Sequence, residues 1–170
     1  MRALRDHTAP GATHQQSDTF APEQLVGLGF RYWLTGFRTG DISCWERAWR
    51  AYSNALGATA ARSAVTDLSC WVRAISRHAR RDLETAAVDC DRFCRDECIA
   101  IEMISACQHN ACPAMRACAF ALLGCSLIEE VVEGAESFAA TMRDVNQVLP
   151  PSFVHGSCLA TMPPANGLRQ

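Results

Sequence analysis

The chain has 170 residues and a mass of 18.6 kDa, the size of one domain, and its 49% apolar content is enough for a sizeable core. Its 18 acidic and 16 basic residues leave a net charge of −2, which excludes the strongly basic footprint of a nucleic-acid binder or of a protein drawn to anionic membrane surfaces. All the basic residues are Arg, and no apolar run is long enough for a membrane-spanning helix.

From the N-terminus, Met1 to Phe20 is polar and has no apolar leader, so the expected location is the cytoplasm, with thiols reduced. Residues 1–20 and 150–170 read as a flexible arm and tail around a helical domain at 21–149. Pro22 suits a first helical turn, and Leu25, Val26, Gly29, Tyr32, Trp33 and Gly36 follow at helical spacing. Thr39-Gly40-Asp41 breaks that helix. Asp41 or Ser43 caps the next, which carries Trp45, Ala48, Trp49, Tyr52, Ala55 and Leu56 on one face and ends at Gly57. A third helix starts near Thr59, with Ala61, Val65, Leu68, Trp71, Val72, Ile75 and Ala79 inward and Arg62, Arg73, Arg77 and Arg80 outward. A fourth is expected from about Val88 to Gln108, then a turn at His109-Asn110-Ala111-Cys112. Pro113 opens a fifth segment reaching toward Leu149, with a bend at Gly124 or Gly134. No stretch alternates like a strand and no hairpin turn appears, so the fold class is all-α: an antiparallel bundle of four to five helices.

Ten cysteines in 170 residues is about 6%, below the roughly 8–10% of a disulfide scaffold. Cys44, Cys70 and Cys158 are scattered, and the other seven fall between Cys90 and Cys125. If Cys90, Cys94 and Cys98 share a helix, successive thiols stand one turn apart, each offset by roughly 40°. Two such sulfurs can share a soft metal ion. Glu97 would then lie within the apolar stripe, where a carboxylate must be paired with an Arg from a neighbouring helix, hydrogen-bonded, protonated or placed beside a metal. Gln108 points nearly the same way. Cys107, His109 and Cys112 put three potential ligands in one turn, and a thiol at a helix start is more thiolate-like. A polar turn with two unrelated thiols is an equal reading, because the spacing matches no zinc-finger signature. Cys118 and Cys125 share a face, and a hairpin folded near residue 110 would bring Cys94 and Cys98 level with Cys125. Residues 114–123 are apolar almost all round, which predicts a central place in the bundle. Beyond them Leu127, Ile128, Val131, Ala135, Phe138, Met142 and Val145 face inward, and Glu129, Glu130, Glu133 and Glu136 form an acidic outer stripe.

Catalytic signatures are missing. Gly27-x-Gly29 lacks a third glycine and a strand, and neither G-x-S-x-G nor H-E-x-x-H nor a paired E-x-x-H occurs. A Cys112 nucleophile with His109 or His78, or a redox role for Cys98, is a minor reading. The four Trp residues read as packing between the first three helices.

A helical bundle with Cys-x3-Cys steps along its core resembles the bacterial copper storage proteins. The resemblance rests on Cys90, Cys94 and Cys98, with Cys118 and Cys125 as facing thiols, and covers residues 88–125. It implies Cu(I) held by cysteine pairs. The second and third helices add only Cys44 and Cys70, so it implies one or a few ions. Two functions therefore stand at this point. One is a soft-metal protein, for Cu(I) or Zn(II), with ligands among Cys90, Cys94, Cys98, Cys107, His109, Cys112, Cys118 and Cys125 and with Glu97 beside them. The other is a non-catalytic interaction protein whose cysteines are small core residues, and whose partner is another protein or a second copy. Its surface would be the aromatic Phe30 to Phe37 region or the acidic stripe.

Overall fold

The computed structural model describes residues 20–151, and six helices and no strand occur among them. The expected arm and tail, with Cys158, lie outside the described residues apart from Phe20, Pro150 and Pro151. The helices are α1 (Pro22–Thr39), α2 (Ile42–Leu56), α3 (Ala58–His78), α4 (Arg95–Gln108), α5 (Cys112–Leu123) and α6 (Glu129–Asp144).

The first two begin and end, and the third begins, where the sequence signals place them; α3 stops at His78, before the Ala79 and Arg80 expected on it. Pro22 opens α1, and Gly40 ends it at φ 73°, a conformation glycine adopts without strain. Asp41, not Ser43, caps α2: its carboxylate accepts from the Ser43 backbone N–H at 2.9 Å. Gly57 is the sole residue between α2 and α3, so these helices reverse direction and pack side by side.

Two boundaries differ from expectation. The helix predicted from Val88 starts at Arg95, and residues 79–94 form an irregular strap. The predicted fifth segment breaks at Gly124 (φ 65°), so α5 and α6 are separate. Gly134 produces no bend. It lies inside α6, where a Cβ would sit 3.1 Å from the Trp71 Cα, so it lets α6 press against α3.

The core joins all six helices. Trp71 of α3 stacks on Phe138 of α6 with centroids 5.8 Å apart and also meets Phe30 of α1. Leu25, Leu68, Ile75, Ile101, Met103 and Ile104 are buried around this stack. A second aromatic group, Trp33, Phe37 and Trp45, joins α1 to α2. Packing is therefore the role of Trp33, Trp45 and Trp71, whereas Trp49 stays 41% exposed on α2.

The position of α5 overturns an expectation. It was predicted to be central because it is apolar all round; it lies at the edge, packed chiefly on α4 with only slight contact to α3 and α6. Met115, Cys118, Ala119, Leu122 and Leu123 face the bundle. The opposite face, with Ala114, Ala117 and Phe120, stays open.

Candidate functional site: the pinned strap and the apolar face of α5

Glu97 occupies the third position of α4, and both it and Arg31 of α1 are fully buried. Arg31 Nε donates to Glu97 Oε1 at 2.7 Å and Nη2 donates to Oε2 at 3.0 Å, a two-pronged pair. Every remaining valence is used on the strap. Arg31 Nη1 donates to the carbonyls of Ala87 and Cys90, and Nη2 to that of Arg92. Glu97 accepts the backbone N–H of Ala86 at 3.1 Å and of Cys94 at 2.8 Å. A buried ion pair becomes tolerable when its spare donors and acceptors are filled in this way. Glu97 is thus the Arg-paired carboxylate weighed above. The guanidinium also lies 5.4 Å from the Phe93 ring centre.

A second clasp stands beside the first. Asp96 is buried, binds the Arg81 guanidinium with both oxygens, and accepts the Glu84 N–H at 2.7 Å. Arg38 Nη1 donates to the Leu83 carbonyl at 2.7 Å. Side chains therefore replace the helical ladder that the sequence suggested for residues 88–94. Sequence reasoning missed Arg31, although a signal was present: it shares a helix face with Gly27 and Leu34, both buried. Gly27 leaves room on that face, since a Cβ there would stand 2.5 Å from Phe93 Cε1.

The expected thiol ladder does not form as one helical row. Cys90 lies in the strap, Cys94 is the residue before α4, and Cys98 alone lies within α4. Cys94 Sγ lies 3.1 Å from the Glu84 carbonyl, and Cys125 Sγ lies 3.7 Å from that of His78, so these thiols turn to different carbonyls. Cys98 is disulfide-bonded, contrary to the expectation of reduced thiols; the other eight cysteines of the described residues are free.

The turn residues also part. Cys107 is buried against the core, Cys112 is exposed as the first residue of α5, and Ala111 takes the capping position expected of Cys112. His109 Nε2 lies 2.8 Å from the Leu149 carbonyl. Gln108 holds the same segment, with its amide nitrogen on the Gln147 carbonyl and its oxygen on the Leu149 N–H, each 2.8 Å. His78 lies 2.6 Å from Glu130, and this contact holds the Glu130 carboxyl below its usual range. Among the described residues no three His, Cys, Asp or Glu side chains converge as a metal-ligand group.

Cys107 and Cys118 join the hydrophobic core, and burial pushes both thiols up to about 12. The folded state thus favours the neutral thiol, whose unfolded counterpart ionises near about 8.5. The stability this supplies is complete below that value and is lost as pH climbs toward the folded one. No lysine competes in that range. The thermal midpoint of wild type should therefore fall between about pH 9 and 11. The fall should be smaller in the Cys107→Ala/Cys118→Ala variant; an equal fall in both would refute this assignment.

The aromatic stretch proposed as a binding surface is mostly internal, with Phe30 buried and Trp33 and Phe37 packed against Trp45. Two carboxylates of the acidic stripe are engaged, Glu129 with Arg116 and Glu130 with Arg77 and His78. The α5 face differs from both. Pro113, Ala114, Ala117, Phe120 and Gly124 are exposed, with Phe120 at 56% and Leu127, in the following turn, at 61%. Arg116 at its margin is the one charged residue of α5, and Glu129 holds it at 3.1 Å.

No protein-family model, curated protein or solved structure matches the chain.

Proposed function

We propose that this is a non-catalytic helical docking protein whose working surface is the outward face of α5. The carrying observation is the exposure of Phe120 and its small apolar neighbours on a helix with a single, neutralised charge. Folding gains nothing from leaving such a face in water, and contiguous exposed apolar patches mark contact sites. The cysteines fit the same reading as structural members: Cys107 and Cys118 fill core positions, and Cys94 and Cys125 close against backbone carbonyls. The soft-metal reading would need thiols now directed to separate neighbours to turn toward one another.

A fluorescent dye that brightens on apolar surfaces tests the exposed face directly. Folded wild type, kept dilute, should enhance its emission. A Phe120→Glu/Ala117→Glu variant with an unchanged circular dichroism spectrum should lose most of that enhancement. Wild type without enhancement, or a variant that keeps it all, would remove the support for this surface.

A further inference from the structure

We infer that the chain beyond Pro151 is fastened to α4 by a disulfide between Cys98 and Cys158, which a thiol reductant opens; this goes beyond the docking role proposed for α5.

Elimination carries the first part of the argument. Cys98 is disulfide-bonded, and the other eight cysteines of residues 20–151 are free thiols. The whole sequence has ten cysteines and residues 1–19 contain none, so the one left to pair with Cys98 is Cys158.

The path of the chain carries the second part. Gln108 binds the Gln147 carbonyl and the Leu149 N–H, and Ser105 Oγ donates to the Pro150 carbonyl at 2.6 Å. The segment after α6 thus runs back along α4, from Gln108 to Ser105, in the direction of Cys98. Cys98 and Ser105 stand seven residues apart in α4, so they share one face, two turns and about 10 Å from each other. The seven residues that lead from Pro151 to Cys158 reach up to about 23 Å when extended, which bridges that gap with slack.

Closing the bond joins two sulfurs and removes two protons and two electrons, which a low-molecular-weight disulfide accepts as it becomes two thiols. Opening runs in reverse. One thiolate of a dithiol reductant attacks a sulfur, its second thiol displaces the mixed disulfide, and Cys98 and Cys158 are left as thiols beside the reductant's own disulfide. Cys98 follows directly on Asp96 and Glu97, whose carboxylates hold the strap. The first turn of α4 therefore anchors two segments, one by charge and one by a bond that redox conditions control.

The full chain, equilibrated with oxidised and reduced glutathione, quenched with acid and alkylated in denaturant, tests this. It should take up eight labels, and ten after reduction with dithiothreitol. Trypsin without reductant should release the peptide that starts at Asp96 joined to the one that starts at Asp144. The bond closes a loop of about 60 residues, so reduction should lower the thermal midpoint by roughly 5–15 °C. Cys158→Ser should start at the lower midpoint and not respond to dithiothreitol. Ten labels without reductant, or Cys98 joined to any other cysteine of this chain or of a second copy, would overturn the assignment. Equal midpoints for oxidised and reduced wild type would overturn the fastening.

Discussion

Glu97→Ala should destabilise the protein by about 3–5 kcal/mol, because it leaves the fully buried Arg31 guanidinium without its counter-charge. The loss reaches beyond the pair. Glu97 also accepts the N–H groups of Ala86 and Cys94, so the strap loses two of its anchors. Arg31→Met should cost a similar amount, since it strands the carboxylate and frees the carbonyls of Ala87, Cys90 and Arg92. The pair Arg31→Met/Glu97→Met should cost clearly less than the sum of the single changes, because neither charge is then left alone in the core. Equilibrium unfolding in denaturant measures all three. Single variants that each lose under about 1 kcal/mol would show that the pair is solvated, and additive losses would show that the two residues do not act together.

Trp71→Ala should cost a comparable amount, about 3–5 kcal/mol, through lost burial and the cavity left between α3 and α6. Trp71 is fully buried and touches Phe30 and Phe138. Its Nε1 has no hydrogen-bond partner among the described residues, so the loss is one of packing alone. Trp49→Ala removes the same side chain from a partly exposed position on α2 and should change stability by less than about 1 kcal/mol. Thermal unfolding separates the two. Equal shifts for Trp71 and Trp49 would contradict the arrangement of the aromatic core.

Much of the fold could be read from the residues, and the reason is local. Pro22, Gly40, Asp41 and Gly57 act on their own turns, so α1, α2 and the start of α3 followed from chemistry within a few positions. The strap could not be read that way. Val88, Phe93, Cys94 and Ile101 keep an apolar rhythm that continues a helix on paper. What holds the chain open there is Arg31, distant in sequence by 56 to 66 residues from the groups it binds. The Cys90–Cys94–Cys98 row disappeared with that helical stretch. The site was only partly readable for a related reason. Periodicity identified α5 as apolar on all sides, but it cannot say whether a neighbour exists for each side. Here α4 covers one side and none of the other helices covers the opposite one. Glu97 shows the limit from the other direction. Its place on the apolar stripe demanded a partner, and several kinds would have served; only the fold selects Arg31.

On the docking proposal, Cys94, Cys107, Cys118 and Cys125 close the structure and hold no metal. The thermal midpoint of the protein, measured anaerobically with a chelator and again with stoichiometric Zn(II) or Cu(I), bears on it most directly. A metal bound only by the folded state raises that midpoint, by mass action. An unchanged midpoint is the expected result. A rise of several degrees that disappears in Cys107→Ala or Cys112→Ser would contradict the claim and restore the soft-metal function.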